Sequence, residues 1–359
     1  MEKLSRRRLL IGGASAGAAL PFLHEVIPHR GVHSQLAAAA EGGAHGADGG
    51  AHGAAGGTSS HGGGANGPTF RRGDVVDHER NGFNPTDVLR DFDMGKTRRL
   101  ASGRTLREWE VVAVDKEIEV APGVKFPAWT FNGRVPGPTL RCREGELLRV
   151  RFINGSAHPH TMHFHGFHPA EMDGVPEVGA GLIQPGGSTV YEFDADPFGL
   201  HLYHCHAGPL AEHIARGMYG TFIIDPKKGR AEADEMVMMM NGFNTNFDAE
   251  GNQVYAVNSV AFHHVNEPIK VKRGELVRIY LVNALEYDPI NSFHTHATFF
   301  DYYPTGTRLE PNEFTDIVML GQAQRGICEV RFKHKGQFMF HAHKTEFAEL
   351  GWMGFFEAS

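Results

Sequence analysis

The sequence predicts an all-β protein of two tandem β-sandwich domains, on three observations. Short segments alternating apolar and polar residues, punctuated by Gly and Pro, follow one another from Glu108 onward, the signature of a sandwich or barrel. The pattern then repeats. CREGELLRVRFIN (142–154) aligns by eye with VKRGELVRIYLVN (271–283), HFHGF with HTHATF, LYHCHA with MFHAHK, and GMYGTFI with GWMGFFE. Such self-similarity is an internal duplication of one domain of about 120–150 residues. Finally, 359 residues with 21% charged and 41% hydrophobic side chains suit two ordinary globular domains.

Residues 1–40 place Arg6, Arg7 and Arg8 ahead of a Gly/Ala-rich apolar run, too short and too rich in Gly for a good membrane span. They resemble a twin-arginine export signal, with cleavage expected near Ala37 to Ala40. Export to the periplasm or the exterior follows, with no membrane attachment after cleavage; an uncleaved anchor is the alternative. These residues carry a net charge of +3, so the rest of a chain of −7 stands at −10. That balance argues against nucleic acid or an anionic membrane as partner. Residues 41–69 are low-complexity Gly/Ala with His45, His52 and His61, expected as a flexible linker, with metal capture as a secondary possibility.

The first domain is expected over residues 70–226. It begins with a polar arm wrapped on that domain, including a short helix around Pro85 to Phe92, and its strands include 109–133, LLRVRFIN, STVYEF, GLHLYH and GTFIIDP. A short charged link leads to the second domain, 233–359. Met236, Met238, Met239 and Met240 are expected to fill its core rather than to form a soft metal site. Cys142 and Cys328 are expected as two buried thiols, a disulfide between them being the alternative that spacing leaves open.

The 23 histidines call for a metal explanation. In HLYHCHAGPLAEHIARGMYG (201–220), His213 follows Cys205 by eight residues and Met218 follows His213 by five. Two His, a Cys thiolate and a more distant Met are the ligands of a blue-copper electron-transfer site, and His160 supplies the remaining imidazole. His204 and His206 flank Cys205 and, on an extended strand, point to the face opposite it. Three further His-x-His pairs occur, His163/His165, His294/His296 and His341/His343. Each pair projects from one face of its strand, and all four fall at corresponding places in the two copies.

At these residues, and at FNGRVPGPTLR and MDGVPEVGAGLIQPGGSTVYEF, the chain resembles the multicopper oxidases, specifically their two-domain, laccase-like members, over roughly residues 108–359. The resemblance implies two cupredoxin-like Greek-key β-sandwich domains and four copper ions per chain. Type 1 copper would be held by His160, Cys205, His213 and Met218. His163 and His294 would hold type 2 copper, and His165, His204, His206, His296, His341 and His343 the binuclear type 3 pair. It also implies O2 as oxidant, a phenolic, aromatic or metal-ion reductant, and a homotrimer in which each three-copper cluster lies between domain 1 of one subunit and domain 2 of the next. Asp173, matching an acidic residue near the family's cluster, is expected as a proton relay, with Glu346 as a second candidate.

The second copy carries Asn291 opposite His160, Ala342 opposite Cys205, and Ala348 and Glu349 around the position of His213, with Met353 as the counterpart of Met218. The type 1 site is therefore expected in domain 1 only. Seven residues separate Cys205 from His213, a loop closer to that of copper nitrite reductases than to the common laccase spacing. Two readings compete with a laccase-like oxidase. A copper nitrite reductase shares the blue site, but has no use for His206 or for complete pairs at 294/296 and 341/343. A copper carrier or electron shuttle would explain the His-rich linker, but not eight paired imidazoles.

Overall fold

The computed structural model describes residues 75–359. The export signal expected over 1–40 and the linker expected over 41–69 lie outside the described residues.

Two β-sandwiches follow one another, and they share a common core of strand pairing. In the first, one sheet runs Phe92–Asp93, Thr139–Arg143, Tyr219–Asp225, Gly199–His204, His163–Phe164. The other runs Lys96–Arg99, Thr105–Ala121, Leu147–Asn154, Ser188–Asp194, with Val124–Phe131 also paired to the long Thr105–Ala121 strand. The second sandwich repeats the order Ile269–Val271, Met353–Ala358, Gly336–His341, Ile290–Thr295, with the first pair parallel and the next two antiparallel, as in the first. Asp234–Phe243, Val277–Asn283 and Arg325–Val330 likewise reproduce the parallel-then-antiparallel trio Thr105–Ala121, Leu147–Asn154, Ser188–Asp194. The duplication visible in the sequence is thus a duplication of strand pairing.

Each sandwich has its own apolar core, and a third cluster joins them. Ile118, Val120 and Phe126 of the first domain pack with Val237, Met239, Phe243 and Tyr280 of the second. The Met-rich strand serves two cores because its side chains alternate. Met236, Met238 and Met240 enter the second domain's core, whereas Val237 and Met239 enter the interdomain cluster. Cys142 lies in the first core and Cys328 in the second, both free and buried.

The N-terminal arm departs from expectation. Its helix runs only Pro85–Val88, capped by Asn84, whose side chain accepts the Thr86 N–H at 2.8 Å. The helix stops short of Phe92 because Phe92–Asp93 is recruited as a strand beside Thr139 and Leu140. The arm also grips both domains rather than the first alone. The Asn81 amide pairs with the Glu119 main chain at 2.8 and 2.9 Å, while Leu89 enters the second core and Arg90 pairs with Asp234 at 2.9 Å.

An ion network closes the junction. Arg141 bonds Asp225 at 2.8 Å and Glu235 at 2.6 Å, and Arg278, 3% exposed, bonds Glu235 and Glu329 at 2.7 Å each. Glu235 is the shared anion, and its two arginines hold its carboxyl below the usual range against the opposing effect of burial. Glu235→Ala leaves two largely buried guanidinium groups short of a partner and should lower stability by about 3 kcal/mol, read from the denaturant midpoint.

Candidate metal centre

The His-x-His pairs converge through register. His163 stands directly opposite His204, and His294 opposite His341. Residues opposite one another in an antiparallel pair share a face, so the imidazoles at these positions gather on one side of each sheet. Phe164, between the first pair, and Tyr203, Phe293 and Phe340, each just ahead of a pair, point the other way, into the cores.

The two half-sites match in detail. In the first domain His165 Nε2 lies 2.9 Å from His204 Nε2; in the second His296 Nε2 lies 3.0 Å from His341 Nε2. His206 and His343 complete the sets, with rings 5.4 and 5.3 Å from those of His163 and His294. Their backbone N–H groups are fixed in the same way, by Thr161 Oγ1 at 2.9 Å and Ser292 Oγ at 2.8 Å. Nδ1 of His163, His204, His294 and His341 donates to the main-chain oxygens of Asp173 (2.7 Å), Cys205 (2.8 Å), Asp316 (2.9 Å) and Ala342 (2.7 Å). A carbonyl can only accept, so the proton sits on Nδ1 and Nε2 presents its lone pair; a hydrogen bond at the far ring nitrogen aims a metal-binding imidazole in this way. Among the described residues no close imidazole group joins the two halves; each forms its own convergent set.

Beneath the first half-site, Cys205 Sγ lies 3.2 Å from His213 Nδ1 and 3.6 Å from His160 Nδ1, and the two nitrogens are 3.1 Å apart. Those separations suit neighbouring ligands around one ion whose bonds are about 2.0–2.3 Å long. All three residues are buried, as is Met218, which shares the Cys205 core cluster and accepts the Cys205 N–H through its main-chain oxygen at 3.0 Å. His160 donates from Nε2 to Ser156 Oγ at 2.9 Å, and Ser156 in turn donates to Asp115 at 2.6 Å, which frees Nδ1 to face the sulfur. A thiolate with two imidazoles, and no carboxylate in the group, fits a copper ion of the electron-transfer kind.

Burial shapes the proton affinities. It pushes His160 down to about 3 and His204 and His213 to about 4, so these rings are neutral lone-pair donors at neutral pH. The Cys205 thiol is pushed up by burial, against the N–H groups of Thr161 (3.3 Å) and Ala207 (3.5 Å) that point at the sulfur.

The structure revises several sequence-level expectations. Met353 pairs with His341 as Tyr219 pairs with His204, so the counterpart of Met218 is Trp352. Trp352 N–H bonds Phe347 O as Met218 N–H bonds His213 O, so His213 corresponds to Phe347 rather than to Ala348 or Glu349. The helices Leu210–Ala215 and Thr345–Glu349 hold these positions in the two copies. Glu346 is not brought to the histidines: its carboxylate pairs with Lys344 at 3.3 Å on the exposed side of its helix. Asp173 does reach the site, its Oδ1 lying 3.0 Å from His163 Nδ1 and 3.5 Å from His168 Nε2.

Two residues escaped the sequence reading. Asp316 serves His294 as Asp173 serves His163, but the pairs are separated by 22 and 10 residues, so aligning the repeats does not reveal it. Trp129 packs against His213, His158 and His160, with ring centroids 4.7, 4.4 and 5.6 Å away. It is a strand residue with nothing in its immediate sequence to connect it with the Cys205 loop.

Fold and site together define a two-domain copper-binding protein with a buried Cys-His set in one domain and imidazole sets in both. The chain belongs to the multicopper oxidase family of oxidoreductases: two profiles described as multicopper oxidase match residues 113–229 and 232–359. A crystal structure of a multicopper oxidase is 63% identical, superposes with a TM-score of 0.78, and covers 79% of this chain and 100% of its own. A blue copper oxidase from Nitrosomonas europaea is 27% identical with a TM-score of 0.63, over 70% of this chain and 86% of that one. Among curated relatives, the copper-containing nitrite reductase of Neisseria meningitidis is 33% identical over 241 residues, 61% of this chain and 60% of the relative's length.

In the metal-free protein the depressed histidines set an acid limit. At these positions the unfolded chain gains protons as pH falls below about 6.5 while the folded one gains none until about 4, so their contribution to stability is full above that window and is lost through it. His160, His201, His204 and His213 should each remove about 1 kcal/mol at roughly pH 5.5. The urea midpoint of metal-free protein should fall between about pH 7.5 and 5.5.

Proposed function

We propose that this protein is a laccase-like oxidase that couples one-electron oxidation of a phenolic, aromatic or metal-ion reductant to the four-electron reduction of O2 to water. The observation that carries the reading is the pair of matched imidazole half-sites, one of them joined covalently to a buried Cys-His site. His160, Cys205, His213 and Met218 would hold type 1 copper. His163 and His294 would hold type 2 copper, and His165, His204, His206, His296, His341 and His343 the type 3 pair, four copper ions per chain. Bound copper would supply the one-electron steps and the oxygen chemistry.

The chain's own residues prepare that chemistry. The Cys205 main chain runs into His204 on one side and His206 on the other, so a single residue links the buried sulfur to the half-site. Trp129 shields His213 and presents an aromatic face beside the site, which suits a flat aromatic reductant. Asp173 Oδ1, in contact with His163 Nδ1, is the position we assign to proton relay.

The second half-site needs a partner. His296 and His343 are exposed, and on the edge strand paired with Ile290–Thr295, Met319, opposite Ser292, is 68% exposed. We assign this face to domain 1 of a second copy, in a closed homotrimer whose three clusters each lie between subunits; a ring of heterologous contacts provides this. The N-terminal Arg cluster supports twin-arginine export to the periplasm or the exterior.

The nitrite reductase relatives favour a second reading, reduction of nitrite at a single imidazole-bound copper. Four copper ions per chain, with O2 consumed in the presence of a phenol and nitrite left intact, would separate the first reading from the second. Cys205→Ser should remove the blue colour while sparing the imidazole-bound copper. His163→Ala and His294→Ala should each be inactive, yet mixing and reassembling the two should restore about a quarter of the activity if clusters form between subunits of a ring, and none if each chain builds its own. Asp173→Asn should slow oxygen reduction about tenfold or more with copper content unchanged.

A further inference from the structure

A second cluster of metal-ligating side chains lies apart from the half-sites, where the N-terminal arm meets the second domain. His78 begins the arm's first helix, His78–Asn81, and His263 begins the helix His263–Asn266 between two strands of the second sandwich. Glu267 follows that helix directly. The ligand atoms of His78, His263 and Glu267 all lie within 4.8 Å of one another. The two rings meet edge to face with centroids 4.8 Å apart, and Glu267 Oε2 is 3.7 Å from His263 Nε2. Thr86 Oγ1, from the arm's second helix, stands 2.8 Å from the same nitrogen and 3.4 Å from the carboxylate.

Three features set this group apart from an ordinary surface contact. His263 is 4% exposed, so its imidazole is committed to the interior. His78 Nδ1 is buried with no hydrogen-bond partner, so the ring carries an uncompensated polar atom. The surroundings are anionic: Glu267, Asp77, Asp87 and Glu119 all act on the His78 ring, so a cation placed there would gain from four carboxylates.

We propose that His78, His263 and Glu267 form a binding site for a divalent cation of the zinc class, which fastens the N-terminal arm to the second domain. Two imidazoles and one carboxylate are a three-residue set that Zn2+ accepts, with a fourth position left for water or the Thr86 hydroxyl. Closing the set around an ion draws the ligand atoms together by about 1 Å from their present spacing, given bonds of roughly 2.0–2.2 Å. The ion replaces Thr86 as the partner of His263 Nε2 and satisfies the buried His78 nitrogen. Because His78 and Thr86 belong to the arm while His263 and Glu267 belong to the second domain, occupancy clamps a segment that also grips the first domain through Asn81. The site shares no residue with the copper ligands, so its occupancy and theirs are separable.

The experiment uses the full copper-loaded protein and Zn2+ as the probe. Wild type, His78→Ala and Glu267→Gln are equilibrated with Zn2+, freed of loose metal and analysed for zinc and copper, with unfolding temperature followed in parallel. Glu267 is half exposed, so its replacement leaves a folded protein even if loss of His78 loosens the arm. Wild type should retain one more zinc per chain than either variant, with unchanged copper and an unfolding temperature raised by zinc only in wild type. Crystals grown with Zn2+ should show a zinc-edge anomalous peak between His78 and His263. Equal zinc retention in all three proteins, or no peak at that position, overturns the proposal and leaves the copper sites untouched.

Discussion

The pleat of two short antiparallel strand pairs is the constraint on which the rest of the site depends. Successive residues alternate faces, so one run can place imidazoles on one side and core side chains on the other. His163 opposite His204, and His294 opposite His341, turn that alternation into convergent sets of nitrogen atoms. Phe164, Tyr203 and Cys205 in the first copy, and Phe293, Phe340 and Ala342 in the second, fill the inner face. A slip of one residue would exchange the faces, burying imidazoles and exposing aromatic rings at once. The hydrophobic core therefore holds the metal-binding register in place.

The same geometry explains how the two copies diverged. The Cys-His set lies on the inner face, where packing and ligation compete for the same volume. In the second copy Asn291, Ala342, Phe347 and Trp352 occupy the positions of His160, Cys205, His213 and Met218. Trp352 is fully buried against Phe293 and Phe340, with both ring centroids 6.0 Å away. Phe347 and Trp352 thus fill with apolar volume the positions that His213 and Met218 hold in the first copy, while Ala342 and the buried Asn291 replace the other two ligands. The His-x-His pairs face the other way and were untouched by that exchange, which is why both copies keep them.

Legibility in the sequence followed the range of the interactions. Strand alternation, the duplication, the four His pairs and the Cys-to-His spacing are local patterns, and the structure brings their residues together as the sequence implies. The Met-rich strand read correctly as buried, but pairing sends only Met236, Met238 and Met240 to the second domain's core, while Met239 faces the interdomain cluster. The misplaced features depend on contacts distant in sequence. Asp316 reaches His294 only through the pairing of two strands, and Trp129 reaches His213 only through sandwich closure. The helix after Asn84 ended early because a parallel strand partner at Thr139 claimed Phe92. Glu346 was proposed from its nearness to His343 in sequence, yet a helical first turn directs it to Lys344. The Met353 assignment failed by one residue, and in a pleated strand one residue is the difference between the ligand face and its reverse.

Burial acts on the two kinds of ligand in opposite directions. Desolvation disfavours charge, so it keeps His160 and His213 neutral and ready to donate while holding the Cys205 sulfur protonated. The imidazoles are thus prepared before any metal arrives, and the sulfur is not. The N–H groups of Thr161 and Ala207, aimed at Sγ, offset part of that penalty and leave the remainder to the cation's own charge, which in metal–thiol sites is sufficient to remove the proton. Loading this buried site therefore couples metal binding to loss of one proton from Cys205. The outward-facing imidazole sets carry no such requirement, since a neutral ring binds without giving up a proton. One strand thus holds two ligand chemistries a single residue apart, separated only by which face of the pleat each side chain takes.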